Sequence, residues 1–249
     1  MHPILIKIGP FTVYSYGFFI AAAFLLALGL SMRQARRMGL NSKLVPDLGF
    51  FLILAALAGS RLLYVLLRPE AFLTDPLLIV QFWKGGLVFS GGAIAAALTG
   101  WWFLRRKGQP FWAWTDAFAP GIAAGQAVGR IGCLMAGCCY GKPTDLPWGI
   151  TFYSTSSLAP LGKTLHPTQI YHSLAGLITF IILLLAGRKL KKSGQLFALL
   201  LVFYSIFRFH IEFFRGDFRG YLGPFSVTQW VTVVILAAGA ILFIQRRRA

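Results

Sequence analysis

The sequence is poor in charged residues. They make up 12% of its 249 residues, whereas 57% are hydrophobic, and soluble domains carry roughly 25% charged residues. This scarcity excludes an ordinary soluble domain, because no soluble core needs so many apolar residues. The composition predicts an integral membrane protein that crosses the bilayer several times.

Acidic residues are the rarest charged type: 7 stand against 24 basic residues, which gives a formal net charge of +17. A chain this basic is a candidate for nucleic-acid binding. Its basic residues, however, lie in short clusters between apolar runs, as they do beside membrane spans. No basic face alternates with aromatic residues in a polar segment, so we expect no nucleic-acid partner.

Cysteine is also scarce, and all three cysteines lie in one stretch, RIGCLMAGCCYG, from Arg130 to Gly141. Cys133, Cys138 and Cys139 lack the paired C-x-x-C spacing of a common zinc site, so the sequence predicts no metal site. Two interpretations stay open. One is a disulfide, if the stretch faces an oxidising compartment; the other is buried thiols that pack as small apolar groups.

Seven apolar runs have about the length that a helix needs to cross a bilayer core. They predict an all-α integral membrane protein with seven transmembrane helices, at approximately Tyr14–Ser31, Leu48–Leu67, Leu87–Leu104, Ala113–Gly132, Thr168–Gly187, Leu196–Phe214 and Val227–Ile244.

The basic residues orient these helices, because they concentrate on the inner side of a membrane. With the N-terminus outside and the C-terminus inside, the outer side holds fewer basic residues. The basic clusters that then lie inside are 33–43, 105–107, 188–192 and 246–248.

The longest outer segment, at approximately 133–167, predicts a small ordered head with a possible strand at Trp148–Tyr153. No repeat or low-complexity segment interrupts the sequence, and its first ten residues lack the pattern of a removable signal peptide. We therefore expect one membrane domain, 1–249, with the head as an insertion.

Ionisable side chains inside apolar runs are costly in a membrane and indicate function. Arg208 and Glu212 lie four residues apart in the sixth run, with Tyr204 one turn before and Arg215 about one turn after. All four fall on one helix face. Such a stripe is either a functional site or an ion pair that only fixes helix packing.

Arg61, Arg130, Arg208 and Arg215 all fall in the outer half of the predicted membrane or near its surface. Guanidinium groups at one depth suggest an anion, and phospholipid phosphate is the anion present there. The alternative is snorkelling to headgroups without a specific site. Snorkelling explains Arg215 well and Arg61 poorly, because Arg61 lies several residues inside its run.

Glycine pairs at 85–86 and 91–92 lie where the third run begins. Backbone N–H groups at a glycine-rich helix start can bind a phosphate. The same glycines equally suit close helix packing, so both interpretations stay open.

Together these residues resemble those of the bacterial prolipoprotein diacylglyceryl transferases. The resemblance covers most of the chain and rests on the order and spacing of its motifs. These are YSYGFF at Tyr14–Phe19, GSRLLYVL at Gly59–Leu66, GGLVFSGGAIA at Gly85–Ala95, DAFAPGIAAGQAVGRIGCLMAGCCYG at Asp116–Gly141, HPTQIY at His166–Tyr171 and YSIFRFHIEFFRGD at Tyr204–Asp217.

The resemblance implies a multi-pass protein of the bacterial inner (cytoplasmic) membrane, with a periplasmic N-terminus, a small periplasmic head and a cytoplasmic C-terminus. It implies a transferase for the first step of lipoprotein maturation. Such an enzyme moves the diacylglyceryl group of phosphatidylglycerol to the lipobox cysteine thiol of a prolipoprotein, forming a thioether and releasing glycerol phosphate. The implied partners are phosphatidylglycerol, prolipoprotein signal peptides and membrane lipids, and no metal or organic cofactor is implied.

By the same resemblance, Arg130 binds phosphatidylglycerol and Arg208 is a second essential arginine, with Tyr16 and Glu212 as further catalytic residues. The residues expected to bind substrate are Arg130 itself, Arg61, Gly129, Gly141, Tyr204, Ser90 and Asp116.

The chain departs from many members of that family at three positions. Ser90 stands where they have His, Cys133 where they have Asn and Cys138 where they have Glu. The missing His argues against a universal His general base. The candidates for accepting the thiol proton are then a substrate phosphate oxygen, Glu212 and Tyr16.

Two other classes of protein fit the same sequence. One is a non-catalytic phospholipid-binding scaffold or transporter on the same fold. The other is a membrane thiol oxidoreductase that uses Cys138 and Cys139.

Overall fold

The computed structural model describes residues 2–9, 11–73, 76–81, 85–218 and 220–248. Seven long helices dominate these residues. They are α1 (Ser15–Arg37), α2 (Leu44–Leu67), α4 (Phe89–Arg106), α5 (Phe111–Ala136), α6 (Thr168–Ala186), α7 (Gln195–Glu212) and α8 (Val227–Arg248), with the single-turn helix α3 (Glu70–Leu73) and a short 3-10 turn (Pro76–Ile79) between α2 and α4.

Each long helix coincides with one of the seven apolar runs, which confirms the helical class. Within the described residues, five helices are long and apolar enough to cross a membrane: α1, α2, α6, α7 and α8. The other two long helices are less apolar, because α4 ends in Arg105 and Arg106 and α5 contains Asp116, Gln126 and Arg130. That α4 and α5 also cross the membrane stays a prediction.

Three small antiparallel strand pairs accompany the helices in the described part of the chain, whereas the sequence predicted a possible strand only at Trp148–Tyr153. The strand pairs join β1 (Ile4–Ile8) with β2 (Phe11–Tyr14), β3 (Ile150–Thr151) with β4 (Thr164–Leu165), and β5 (Tyr221–Leu222) with β6 (Phe225–Ser226).

The predicted strand Trp148–Tyr153 shortens to β3, inside the segment predicted to form the head. Its neighbours Phe152 and Leu165 are fully buried and pack with Ala159, which gives this segment a small core of its own.

The chain forms two compact units, residues 1–38 with 115–249, and residues 39–114. In the smaller unit α2 and α4 pack backbone to backbone. A Cβ on Gly91 would lie 2.4 Å from the Gly59 carbonyl oxygen, and one on Gly92 would lie 2.8 Å from that of Ala56. These contacts support the interpretation of the 91–92 pair as a close-packing surface.

The larger unit has small residues inside and large apolar residues outside. Alanines 117, 119 and 123 of α5 are buried, and a Cβ on Gly176 of α6 would lie 3.1 Å from the carbonyl oxygen of Ala123. Leu25 of α1 and Val234 of α8, in contrast, are largely exposed. Small residues at helix contacts are typical of membrane-helix packing, and a surface this apolar suits lipid rather than water.

Candidate functional site

Helix α7 carries a buried ion pair at the predicted polar stripe. Arg208 Nη1 lies 2.9 Å from Glu212 Oε2, and both side chains are almost fully buried. Ser226 at the end of β6 donates a hydrogen bond from its hydroxyl to Glu212 Oε1 over 3.1 Å. The carboxylate is therefore held from two sides, which fixes the position of the guanidinium group.

A histidine that the sequence interpretation missed completes this pair. His172 of α6 is buried, and its Nε2 lies 3.0 Å from Arg208 Nη1. Because a guanidinium group can only donate, Nε2 accepts this hydrogen bond and is the unprotonated ring nitrogen. The signal was present in the sequence, since His172 is an ionisable residue inside an apolar run.

A small cavity lies beside these groups. His172, Tyr204, Arg208 and Gln126 are among its lining residues, and its volume is about 10 Å³. That is about the space of one water molecule, which needs two to four polar partners of the kind present here. The predicted site residue Tyr204 is thus on the wall of the same pocket as Arg208.

Arg215 is a second buried cation next to this cluster. It is 3% exposed and makes a bidentate ion pair with Asp217, with both N–O distances at 2.7 Å. The interpretation of Arg215 as a snorkelling side chain is therefore wrong. Burial alone would lower its pKa, but the hydrogen bonds to Asp217 outweigh burial and raise the pKa of Arg215 above its usual range.

Three backbone segments cross at Gly141, next to Arg215. Its N–H donates to the His166 carbonyl oxygen over 3.1 Å, and the N–H of Gly216 donates to the Tyr140 carbonyl oxygen over 3.1 Å. A Cβ on Gly141 would lie 2.5 Å from the His166 carbonyl oxygen. Only glycine permits this approach, and the crossing of the three segments pairs the backbone of Arg215 with that of Gly141.

Arg130 reaches the same region from the last turns of α5. It is half-buried, and its positive charge acts on Tyr16, Cys139, His172 and Arg208. The charges of Arg208 and Arg215 act on His172 as well. Three guanidinium groups from two helices and a loop therefore share one neighbourhood.

Two glycines near Arg130, Gly132 and the predicted site residue Gly129, face α1 from α5. A Cβ on Gly132 would be 3.0 Å from Phe19 Cβ, whereas one on Gly129 would find only ordinary contacts, such as 3.6 Å to Ile20 Cδ1. Gly132 is thus the tighter contact, and Gly129 lies one turn before it, beside Arg130.

Tyr16 lines a groove at the protein surface. The groove has a volume of about 460 Å³ and a mostly apolar lining that includes Tyr16, Tyr14, Cys138 and Leu158. Tyr16 itself is 44% exposed. The predicted catalytic tyrosine therefore borders this apolar space, and the charge of Arg130 acts on it.

The structure does not bring Asp116 to this cluster. Its carboxylate accepts hydrogen bonds from the backbone N–H groups of Gly194 (2.7 Å) and Phe197 (2.8 Å), at the start of α7. On α5 it lies 14 residues before Arg130, or about 21 Å along the helix axis. These contacts describe a helix cap, which satisfies N–H groups that have no partner within the helix.

Arg61 and Ser90 lie in the smaller unit. The Arg61 guanidinium donates to the carbonyl oxygens of Ile79 (2.9 Å), Gly85 (2.6 Å), Gly86 (3.1 Å) and Leu78. Gly85 and Gly86 both have positive φ, so this glycine pair offers its carbonyl groups to Arg61. Ser90 is exposed in the first turn of α4. Substrate binding by Arg61 and Ser90 stays a prediction.

These features define a class of protein. It is a multi-pass membrane protein whose larger unit holds three arginines, a neutral histidine and a carboxylate near a groove with apolar walls. Such a site suits a ligand with an anionic group and apolar chains, because guanidinium groups bind phosphate bidentately and apolar walls accept hydrocarbon.

Comparison with known proteins makes the assignment specific. The sequence model of the prolipoprotein diacylglyceryl transferase family matches residues 3–245. Proteins named phosphatidylglycerol–prolipoprotein diacylglyceryl transferase are similar over nearly the full length. That of Clostridium tetani is 32% identical, covering 98% of this chain and 97% of its own. That of Bordetella avium is 36% identical, covering 99% and 95%. This chain belongs to the prolipoprotein diacylglyceryl transferase family.

Proposed function

We propose that this chain transfers the diacylglyceryl group of phosphatidylglycerol to the lipobox cysteine of prolipoproteins. As a member of its family it is a transferase that acts in the first step of lipoprotein maturation. The observation that carries the proposal for the site is the buried cluster of Arg208, Glu212 and His172, with Arg130 and Arg215 beside it.

The reaction joins the substrate's cysteine sulfur to the glycerol carbon that carries the phosphate. The carbon–sulfur bond forms, the carbon–oxygen bond to phosphate breaks, and glycerol phosphate leaves with the bonding electrons. Negative charge on the leaving phosphate is stabilised by Arg130 and Arg208. Fixed cations in a site that excludes water can lower such a barrier by several kcal/mol.

The thiol must lose its proton, because the thiolate is the nucleophile. Glu212 is committed to Arg208 and Ser226, and Nε2 of His172 accepts from Arg208. These contacts favour a positioning role for both side chains. The candidates for the proton acceptor that lie closest to the groove are then Tyr16 and a phosphate oxygen of the substrate itself.

The groove beside Tyr16 supports a site for the apolar part of a substrate. Its lining leads from Tyr16 to Cys138 and Leu158, and its volume is about 460 Å³. We assign it to an acyl chain or to the apolar residues that surround the lipobox cysteine. In this arrangement the reacting atoms meet beside Tyr16, on which the charge of Arg130 acts.

The proposed setting is the bacterial inner membrane, with seven spans, the N-terminus in the periplasm and the C-terminus in the cytoplasm. The basic residues at the ends of α1, α4 and α8 support this orientation, because basic residues concentrate on the cytoplasmic side.

An in vitro transfer assay tests the proposal. Purified protein is mixed with phosphatidylglycerol and a lipobox peptide, and the peptide mass and glycerol phosphate are followed. The wild type should add a diacylglyceryl group, Arg130→Ala should abolish transfer while still folding, and Arg106→Ala, at an exposed arginine of α4, should behave as the wild type.

Two results would contradict the assignment. Normal turnover by Arg130→Ala would show that Arg130 is not required for the reaction. Bound but unconsumed phosphatidylglycerol in the wild type would instead indicate a phospholipid-binding scaffold or transporter.

A further inference from the structure

The three cysteines of the chain meet in space. The sulfur atoms of Cys133, Cys138 and Cys139 all lie within 4.8 Å of one another, and all three are free thiols. Cys133 is in the last turn of α5 and is buried, while the other two follow the helix end. The chemistry proposed above uses the thiol of the substrate, so it leaves this cluster without a function.

The backbone holds the cluster in place at a cost. Cys139 has φ +60° and is the one residue other than glycine with a positive φ in the described part of the chain. A side chain with a Cβ is strained in this left-handed conformation. Two buried side chains of α6 keep it there: Thr168 Oγ1 donates to the Cys139 carbonyl oxygen over 2.7 Å, and Gln169 Nε2 donates to that of Cys138 over 2.8 Å.

The spacing of the sulfur atoms suits one soft cation. A zinc–sulfur bond is about 2.3 Å long, so three thiolates around one zinc ion lie about 3.8–4.0 Å apart. Thiols that already lie within 4.8 Å of one another reach this spacing by small side-chain rotations. Thiolate ligands favour thiophilic cations over hard ones such as magnesium or calcium.

The charges around the cluster suit the complex that would form. Three thiolates around a divalent cation carry a net charge of −1. Arg215 and Arg130 both act on the Cys139 thiol with positive charge. Arg215 is buried, and its Nη1 has no hydrogen-bond partner among the described residues. A thiolate sulfur would give this buried donor an acceptor.

A cation could also reach the cluster. Cys138 is on the wall of the groove beside Tyr16, so one side of the cluster opens to that space. A water molecule there can complete a tetrahedral shell, as it does in zinc sites with three protein ligands.

We propose that Cys133, Cys138 and Cys139 form a three-thiolate site for one zinc-like, thiophilic divalent cation. Binding forms three metal–sulfur bonds and releases three thiol protons, with no oxidation or reduction. The bound cation joins the end of α5 to the turn that follows it, next to Arg130.

Metal titration of the whole protein tests the site. The purified chain in detergent micelles is reduced, freed of reductant and metal without oxygen, and titrated with Zn²⁺ against a chromophoric chelator. A parallel titration with Cd²⁺ follows the ultraviolet absorption of metal-bound thiolate, and calorimetry in two buffers counts the released protons. We expect one equivalent of cation per chain, three protons released and a strong thiolate absorption.

Variants separate this site from adventitious binding. Cys139→Ser should weaken Zn²⁺ binding at least tenfold, and the triple variant Cys133→Ser, Cys138→Ser, Cys139→Ser should lose the stoichiometric equivalent. Met135→Leu, which removes a nearby thioether sulfur, should bind as the wild type. If the triple variant fails to fold, alkylation of the wild-type thiols before the titration serves the same purpose.

Three results would overturn the proposal: no stoichiometric uptake by the reduced wild type, uptake that persists in the triple-serine or alkylated protein, and uptake without thiolate absorption. None of them depends on diacylglyceryl transfer. A failed metal titration would therefore leave the proposed function standing, and a failed transfer assay would leave the metal site standing.

Discussion

Replacing His172 with leucine removes the nitrogen that accepts a hydrogen bond from Arg208 over 3.0 Å. A hydrogen bond to a charged group contributes about 1.5–3 kcal/mol. Arg208 keeps its ion pair with Glu212 at 2.9 Å, so we expect a loss of only about 1–2 kcal/mol in transition-state stabilisation. This corresponds to roughly a 5- to 30-fold lower kcat/KM for diacylglyceryl transfer.

The matched variant is His172→Gln, because the glutamine Oε1 can occupy the place of the histidine Nε2 and accept the same hydrogen bond. We expect it to keep most of the activity. Both variants are assayed with phosphatidylglycerol and a lipobox peptide, and their unfolding is measured separately. Wild-type transfer by His172→Leu, or an equal loss in both variants, would refute a role for His172 as the acceptor that positions Arg208.

Other predictions concern stability, measured by unfolding in mixed micelles. Asp116→Ala should lower the free energy of unfolding by about 1–3 kcal/mol, because two N–H groups at the start of α7 lose their acceptor; Asp116→Asn should lose less, and equal stability of all three proteins would contradict the cap. Gly141→Ala should lower the free energy of unfolding by about 1–3 kcal/mol, because its Cβ would overpack the crossing. Gly129→Ala should leave the stability unchanged. Equal effects of the two substitutions would show that the close backbone contact at Gly141 does not require glycine. Asp217→Ala should lower the free energy of unfolding, because the buried Arg215 loses two hydrogen bonds. We expect a loss of about 1–3 kcal/mol, toward the lower end because Asp217 is partly exposed to solvent. Unchanged stability would show that another group replaces Asp217 as the partner of Arg215.

The long helices could be predicted because each apolar run is both long and bounded by polar residues. The strand pairs could not, because two-residue strands such as Ile150–Thr151 and Thr164–Leu165 are too short to show an alternating pattern. Their pairing depends on contacts between distant parts of the chain, which a local pattern does not record.

The site was only partly predictable for a similar reason. Helical spacing joined Arg208 to Glu212, because both lie on one face of α7. It could not join Arg208 to His172, which belongs to another helix and is 36 residues away. Burial of Arg215 was equally hidden, since it depends on Asp217 and on the crossing at Gly141.

The cysteines show the limit of spacing rules. Cys133, Cys138 and Cys139 do not follow a known ligand pattern in sequence, yet a turn with positive φ at Gly137 and at Cys139 brings their sulfur atoms together. A rule based on residue intervals assumes an ordinary helix or loop between the ligands, and this turn is neither.

The crossing at Gly141 also sets an order of assembly. The segment that follows α5 is synthesised long before the residues around Arg215 leave the ribosome, and both α6 and α7 must be in place before Gly141 and Gly216 can meet. The arginine cluster therefore closes only near the end of biogenesis. A nascent chain that ends before α7 contains Arg130 of α5 but still lacks Arg208, Glu212 and Arg215.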